Sequence, residues 1–260
     1  MEQQTGCLIS PKDLRDYKIN KACMSIELPE SFMLEPTAIK NQGNVGSCVA
    51  HALSSMLEKY NEVFSTGWIY GYRPFYYHQG IGMYPREALK TLQKLGAVKE
   101  QDFSLNIEMN EAKEKVHNRL TYLKRLAQEF KIKSYVKLEN NNEIKQFLYS
   151  SKCPIPFSVY IDGLKMNNGI IEIPQSYKNL SSHMMLIIGW NKNGFIIQNS
   201  WGINWGNNGT AILPYEYEIK EAWGVNLYNS QEEYIEKPKF YFIRKLIEKI
   251  KSVLVSRRLN

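Results

Sequence analysis

The pattern of apolar residues changes once along this sequence, near residue 153, and that change limits the folds the chain can adopt. Before it, apolar residues recur at helical spacing; after it, short apolar runs alternate with turn residues. The pattern predicts helices over about 48–63, 85–96, 110–130 and 142–150, and strands over 155–161, 184–190, 195–199 and 210–213. Helices followed by strands favour an α+β fold with two lobes and a cleft between them.

The positive charge of the chain is concentrated at its C-terminal end. The 260 residues include 33 basic and 26 acidic side chains, a formal charge of +7. Eight of the basic residues and one acidic residue lie in 237–260, so the rest of the chain is neutral overall. A neutral body does not offer the basic face that nucleic-acid binding requires, and no nucleic acid is predicted as a partner.

The C-terminal segment 231–260 is predicted to be a basic amphipathic helix, because Ile243, Leu246, Ile247 and Ile250 recur at helical spacing among lysines and arginines. One interpretation is that residues 237–260 attach to an anionic membrane surface or an acidic partner. The alternative is a helix that packs on its own chain and leaves its lysines in water.

The four cysteines, Cys7, Cys23, Cys48 and Cys153, have no metal-ligand spacing, and no metal or other cofactor is indicated. The N-terminus lacks the basic start and apolar run of a signal peptide, and no stretch of 18 apolar residues occurs. We therefore expect a cytoplasmic protein by default, with a removed leader or a non-classical route of secretion as the open alternatives.

The strongest local signal is the glycine-punctuated loop that leads into a helix at Cys48. A cysteine at a helix N-terminus meets free backbone N–H groups and partial positive charge, which favour the nucleophilic thiolate. Gln42, six residues earlier, could join the Cys48 backbone N–H in an oxyanion hole. The alternative is a buried, inert cysteine at a helix start.

A thiolate needs a base, and His183 is the best placed of the four histidines because it begins an apolar strand that can face a cleft. If the turn at 191–194 pairs that strand with the next, Asn199 comes near His183 and could orient its ring. Trp201 could shield that hydrogen bond from water. The alternative for His183 is a hydrogen-bonded histidine of the core, and the alternative for Trp201 is an aromatic residue that only fills the core.

Taken together, these motifs resemble the papain family of cysteine peptidases. The resemblance rests on Gln42, the Gly46-Ser47-Cys48 sequence, His183, and the Asn199-Ser200-Trp201-Gly202 sequence at matching spacing, and it covers about residues 36–220. It implies a papain-like two-lobed α+β fold with a helical left lobe and a β-rich right lobe. Cys48 would be the nucleophile, His183 the base and acid, Asn199 the orienting residue, Gln42 the oxyanion donor and Trp201 the shield.

The resemblance also implies a domain organisation and a substrate. Residues 1–35 would be an N-terminal arm and a short propeptide, residues 36–230 the catalytic domain, and polypeptides the substrate. The alternative for the arm is a segment that only packs on the right lobe. The chain looks most like bacterial and phage-type members with a short prosegment, because Val45 stands where other members have a disulfide-forming cysteine.

By the same resemblance, Gly82 and Met83 would form one substrate-binding wall, and Ser182 and Met184 would flank the specificity pocket. A neutral pocket of this kind predicts a bulky apolar side chain two positions from the product end. The activity expected is peptide-bond hydrolysis through an acyl-enzyme. Acyl transfer or peptide ligation at the same site, and a non-catalytic binding module of the same fold, are the alternatives.

Overall fold

A computed structural model describes residues 5–18, 26–73, 82–104 and 109–228, with side chains in the last range from residue 112 onward. The predicted C-terminal helix, 231–260, lies within 229–260, and Cys23 lies within 19–25, so both are outside the described residues. Within the described ranges, no helix combines the length and apolar character needed to cross a membrane.

Most of the helices precede the main sheet in the chain. They are α1 (Cys48–Leu57), α2 (Thr66–Gly71), α3 (Pro85–Lys94), α4 (Met109–Asn118), α5 (Leu120–Ala127) and α6 (Asn141–Ser151), with a 3-10 turn at Glu58–Tyr60. Pro85 occupies the first turn of α3, where its missing N–H costs no helical hydrogen bond. The Asn140 side chain accepts a hydrogen bond from the backbone N–H of Glu143 and caps α6.

The strands form one mostly antiparallel sheet. They are β1 (Phe32–Met33), β2 (Ile132–Leu138), β3 (Ile155–Ile161), β4 (Met166–Asn167), β5 (Ile170–Ile171), β6 (Ser181–Asn191), β7 (Gly194–Gln198), β8 (Thr210–Leu213) and β9 (Ile219–Leu227). Their order is β2-β9-β3-β6-β7-β8-β5-β4, and β1 pairs with β6. Helices concentrated in one half and strands in the other confirm the predicted α+β class.

Helix α1 joins the helical part of the molecule to the sheet. Nine of its ten residues are buried, and it packs against β6 and β3. Because Cys48 is its first residue, this packing brings Cys48 to the strand that carries His183.

The structure differs from the sequence expectations in several places. The single helix predicted over 110–130 is two helices, separated at Arg119, whose φ of −117° and ψ of 16° are not helical. Helix α2 and strands β1, β2, β4, β5 and β9 were not predicted. Four central residues of β2 are half-buried, so its burial does not alternate, and β9 contains the buried Glu221, which breaks its apolar pattern.

Candidate active site

Cys48 lies at the start of α1 and is completely buried. Burial raises the pKa of its thiol to about 11, while hydrogen bonds from the backbone N–H groups of Met184, Gly6 and Val49 lower it. The position predicted to favour a thiolate is therefore covered in this structure, and the neutral thiol is the stable form. The Met184 contact places the sulfur beside the residue that follows His183.

The β6–β7 hairpin brings His183 and Asn199 together. Their strands pair antiparallel, with Leu186 opposite Gln198, and the His183 Nε2–Asn199 Oδ1 distance is 2.8 Å. The Trp201 ring lies 4.6 Å from the imidazole, centroid to centroid, and covers this bond. The imidazole is fully buried, and burial lowers the pKa of His183 to about 4.

The hydrogen bond to Asn199 determines which nitrogen of the His183 imidazole carries the proton. With Nε2 donating to an amide oxygen, a neutral ring leaves Nδ1 unprotonated and free to accept a proton. His183 Nδ1 is buried and makes no hydrogen bond to any residue the structure describes.

Gln42 is held beside these residues by Ser200, which sequence reasoning did not single out. The Gln42 backbone N–H donates to the Ser200 carbonyl at 2.9 Å, and the Ser200 hydroxyl donates to Gln42 Oε1 at 2.7 Å. The Gln42 side-chain amide also donates to the Val45 carbonyl, 2.9 Å away. These bonds tie the loop before α1 to the segment that follows Asn199.

The first described part of the N-terminal arm, residues 5–18, runs past Cys48 and along the predicted substrate-binding wall. The Met83 backbone N–H donates to the Gly6 carbonyl at 2.8 Å, and the Met83 carbonyl accepts from the Leu8 backbone N–H at 2.9 Å. The arm and the wall thus form a parallel β-bridge between Cys7 and Met83. On the other side, the Cys7 N–H donates to the Ser182 carbonyl at 3.4 Å. Together with the Gly6–Cys48 contact, these bonds close the site.

Glycine is required where the arm meets the wall. Gly82 has a φ of +116°, and a Cβ there would lie 2.4 Å from the Gly6 carbonyl oxygen. A Cβ on Gly6 would lie 1.8 Å from the Gly46 carbonyl oxygen. The arm backbone therefore fits against the catalytic loop only because both positions lack side chains.

The Cys7 side chain lies among polar groups that the sequence did not indicate. Burial raises the pKa of the Cys7 thiol well above its usual value, and the charges of Cys48 and Glu221 raise it further, while the Ser182 and Ser158 hydroxyls lower it. Ser158 and Glu221 are buried and face each other across β3 and β9. We call the space that the Cys7 side chain fills the Cys7 pocket. The groups around it include more polar ones than the sequence indicated, and the preference for a bulky apolar side chain stays a prediction.

These neighbours were missed because they come from distant segments. Glu221 pairs with Ser158 only through the strand order of the sheet, and the arm reaches Met83 across more than 70 residues of chain. In the described part of the chain, Cys7, Cys48 and Cys153 are all free thiols.

Comparison with known proteins places this geometry in context. A family model described as papain family cysteine protease matches residues 77–226, a range that includes His183 and Asn199 and begins after Cys48. A cysteine protease of Blomia tropicalis is 24% identical over 212 residues, which are 72% of this chain and 61% of that protein. This chain therefore spans less than two thirds of that relative.

Solved structures share the fold. Xylellain, a cysteine protease from Xylella fastidiosa, superposes with a TM-score of 0.72 at 23% identity, covering 88% of this chain and 97% of its own. A cysteine protease of Carica candamarcensis in complex with E-64 superposes with a TM-score of 0.58 at 18% identity, covering 76% of this chain and 99% of its own.

Proposed function

This chain belongs to the papain family of cysteine proteases, and on that premise we propose that it hydrolyses peptide bonds in polypeptides through Cys48. The observation that carries the proposal is the 2.8 Å bond between His183 Nε2 and Asn199 Oδ1. It leaves Nδ1 as the proton acceptor on a strand whose next residue contacts the Cys48 sulfur. An oriented imidazole beside a cysteine is what nucleophilic thiol chemistry requires.

In the proposed reaction, His183 takes the proton of Cys48 and the sulfur attacks the substrate carbonyl carbon. The negative charge that develops on the carbonyl oxygen is stabilised by the Gln42 side-chain amide and the Cys48 backbone N–H. His183 then protonates the leaving amine, and a thioester to Cys48 remains. His183 next removes a proton from water as its oxygen attacks the thioester carbonyl carbon. The carbon–sulfur bond then breaks, the carboxylic acid product leaves, and the sulfur takes the proton back from His183.

We propose that the arm is a propeptide that holds the enzyme inactive. Its contacts cover Cys48, and with the site covered both Cys48 and His183 are neutral between about pH 4 and pH 11. By the resemblance, the residue that enters the specificity pocket lies on the N-terminal side of the bond that Cys48 attacks, so a substrate would run from Cys48 past Ser182 towards its N-terminus. The arm runs the other way, from Gly6 at Cys48 to Cys7 at Ser182, towards its C-terminus. The arm therefore does not present a peptide bond in the orientation of a substrate.

The proposal is tested by incubating the full chain under reducing conditions and following both intact mass and cleavage of a fluorogenic peptide. We expect the wild-type protein to lose an N-terminal segment and to cleave the peptide, and the Cys48→Ala variant to do neither. Cys153→Ala is the matched control, because Cys153 is an equally buried thiol away from these residues, and it should behave as wild type.

An epoxysuccinyl inhibitor should modify Cys48 in the shortened protein. A modification mapped to Cys7, Cys23 or Cys153 instead would contradict the assignment. Adding an amine to the peptide assay separates hydrolysis from acyl transfer, because a transferase would give the amide product in place of the acid.

We also propose that residues 237–260 attach the enzyme to an anionic membrane surface or an acidic partner. The support is the sequence alone: a net charge of +7 in a segment with helical apolar spacing, on a chain that is otherwise neutral.

A further inference from the structure

Among the residues that the structure describes, Arg86, the second residue of α3, makes more hydrogen bonds to the arm than any other cationic residue of the body. Its Nε and Nη2 donate to the two Asp16 carboxylate oxygens at 2.7 and 2.5 Å. Its Nη1 donates to the Pro11 carbonyl at 2.6 Å, and its backbone N–H donates to the Ser10 hydroxyl at 3.2 Å. A bidentate hydrogen-bonded pair with a carboxylate is among the strongest interactions that an arginine side chain makes.

The position of Arg86 is fixed by the body of the protein as well as by the arm. Its guanidinium carbon lies 5.5 Å from the centre of the Trp223 ring, and the Trp223 indole N–H donates to Glu221 Oε2 at 3.0 Å. The Arg86 and Asp16 side chains are only 11% and 9% exposed. When the arm leaves, α3 and Trp223 remain, and the Arg86 guanidinium becomes more exposed and loses the Asp16 carboxylate.

Arg86 lies along the line that a bound polypeptide can follow. The arm passes Cys48 at Gly6 and the polar pocket at Cys7, and three residues later Ser10 reaches both Arg86 and the Glu221 carboxylate. An extended chain advances about 3.3 Å per residue, so Arg86 contacts the bound chain about 10 Å beyond the pocket. The side chains of one to three residues on the N-terminal side of the pocket-filling residue are within reach.

We propose that Arg86 is a specificity-determining residue, which binds an acidic side chain of the substrate in the place that Asp16 holds in the closed protein. This inference rests on the proposed peptidase function. Asp16 shows that Arg86 can bind a carboxylate at this position. Because a substrate carboxylate would take the place of the Asp16 carboxylate, the substrate can bind Arg86 only after the arm has left.

The experiment compares fluorogenic peptides that carry either Glu or Gln at each of the three positions before the pocket-filling residue. The two peptides compete in one reaction, so the ratio of their kcat/KM values is independent of how much enzyme is active or how much arm is released. We expect wild type to favour Glu by about tenfold at one position, as for a hydrogen-bonded charge pair.

In Arg86→Gln the ratio should fall to about one, and in Arg86→Lys it should be intermediate, because an ammonium keeps the charge and loses the two-point geometry. Lys90→Gln, which removes an exposed cation from the same helix, is the matched control and should keep the wild-type ratio. A wild-type ratio near one at all three positions, or an unchanged ratio in Arg86→Gln, would overturn the inference.

A binding measurement separates this inference from the peptidase proposal. We therefore use full-length protein carrying Cys48→Ala, Gly6→Val and Asp16→Ala. It cannot use Cys48, it releases the arm from the cleft because a Cβ at position 6 would clash with the Gly46 carbonyl, and it leaves Arg86 without the arm's carboxylate. Calorimetry should show the Glu peptide binding about tenfold more tightly than the Gln peptide. Absence of hydrolysis in wild type would refute the proposed function alone. Equal affinities, or binding of neither peptide, would refute the role of Arg86.

Discussion

At the scale of single residues, the hydrogen bond between His183 and Asn199 determines what the imidazole can do. Because Asn199 Oδ1 accepts from Nε2, the proton of a neutral ring stays on the side away from Cys48. Asn199 Oδ1 also accepts the Ser200 backbone N–H at 2.8 Å, so the amide is itself held in place.

Replacing Asn199 with Ala should therefore reduce kcat by about ten- to a hundredfold, since the imidazole loses its preferred tautomer and orientation. KM should change little, because Asn199 does not contact the arm or the pocket. Steady-state kinetics on the shortened protein measures both. Asn226→Ala, which removes an exposed amide from β9, should leave kcat unchanged; equal losses in the two variants would show a general effect on stability.

The buried His183 should also make the protein sensitive to acid. Its folded pKa is about 4 and the ordinary value is 6.5, so the unfolded chain binds the proton more tightly. The stability contributed by the neutral ring is complete above about pH 6.5 and is lost as the pH falls from there towards 4. The loss is about 3 kcal/mol at most.

Urea unfolding between pH 7 and pH 4 measures this slope. His183→Gln should flatten it, and His117→Gln, which changes an exposed histidine on α4, should not. His51, whose pKa burial also lowers to about 4, should contribute a separate part of the slope. An unchanged slope in His183→Gln would mean that the ring is accessible to protons in the folded protein.

At the scale of secondary-structure elements, the fit of the arm against the catalytic loop depends on the absence of a side chain at Gly6. Gly6→Val would place a Cβ 1.8 Å from the Gly46 carbonyl oxygen, and backbone on both sides of the contact leaves little room to adjust. The arm should leave the cleft, and Cys48 should become accessible.

We expect Gly6→Val to raise the rate at which iodoacetamide modifies Cys48 by at least about tenfold at neutral pH, because removing the arm reverses the burial that raises the thiol pKa. Peptide mapping by mass spectrometry measures it in the full chain. Leu14→Ala is the control in the same arm, since Leu14 is 92% exposed. If both variants react as slowly as wild type, the arm does not protect Cys48.

Much of the element structure could be predicted from local sequence, because it follows from spacing over a few residues. Helix α3 begins at Pro85 as predicted, and β3 and β8 have the predicted bounds. The pairing of β6 with β7 could be predicted from the turn at 191–194, which also brought His183 near Asn199. Contacts that join distant segments, such as Ser200 with Gln42 or the arm with Met83, leave no periodic signal and could not be predicted.

At the scale of the whole molecule, the net charge is concentrated in the C-terminal segment. The neutral body carries the proposed chemistry, and residues 237–260 carry the net positive charge. Such a division is typical of proteins in which attachment and activity are separate functions.

Removing four of the eight positive charges of the segment should strongly weaken binding to anionic vesicles without changing peptide hydrolysis. We propose replacing Arg244, Lys245, Lys249 and Lys251 with Gln in the full chain and measuring co-sedimentation with phosphatidylserine-containing vesicles. Wild type should bind, and added salt should weaken the binding because the attraction is screened. Lys90, Lys113, Lys115 and Lys178, replaced together, provide a control of equal charge. Identical sedimentation of wild type and the tail variant would exclude membrane attachment.

The pairing of β1 with β6 has a consequence for the chain end that maturation would create. Phe32 and Met33 lie opposite Trp190 and Gly189, and the Leu34 N–H donates to the Ile188 carbonyl at 2.8 Å, so a cut that leaves the sheet intact falls before Phe32. After a cut directly before Phe32, the new ammonium group would be held near residue 190, about 20 Å along the strand from the imidazole. At physiological salt, exposed charges interact only over about 8 Å, which is less than this separation. Removal of the arm would therefore add a positive charge to the chain without changing the pKa of His183 through that charge.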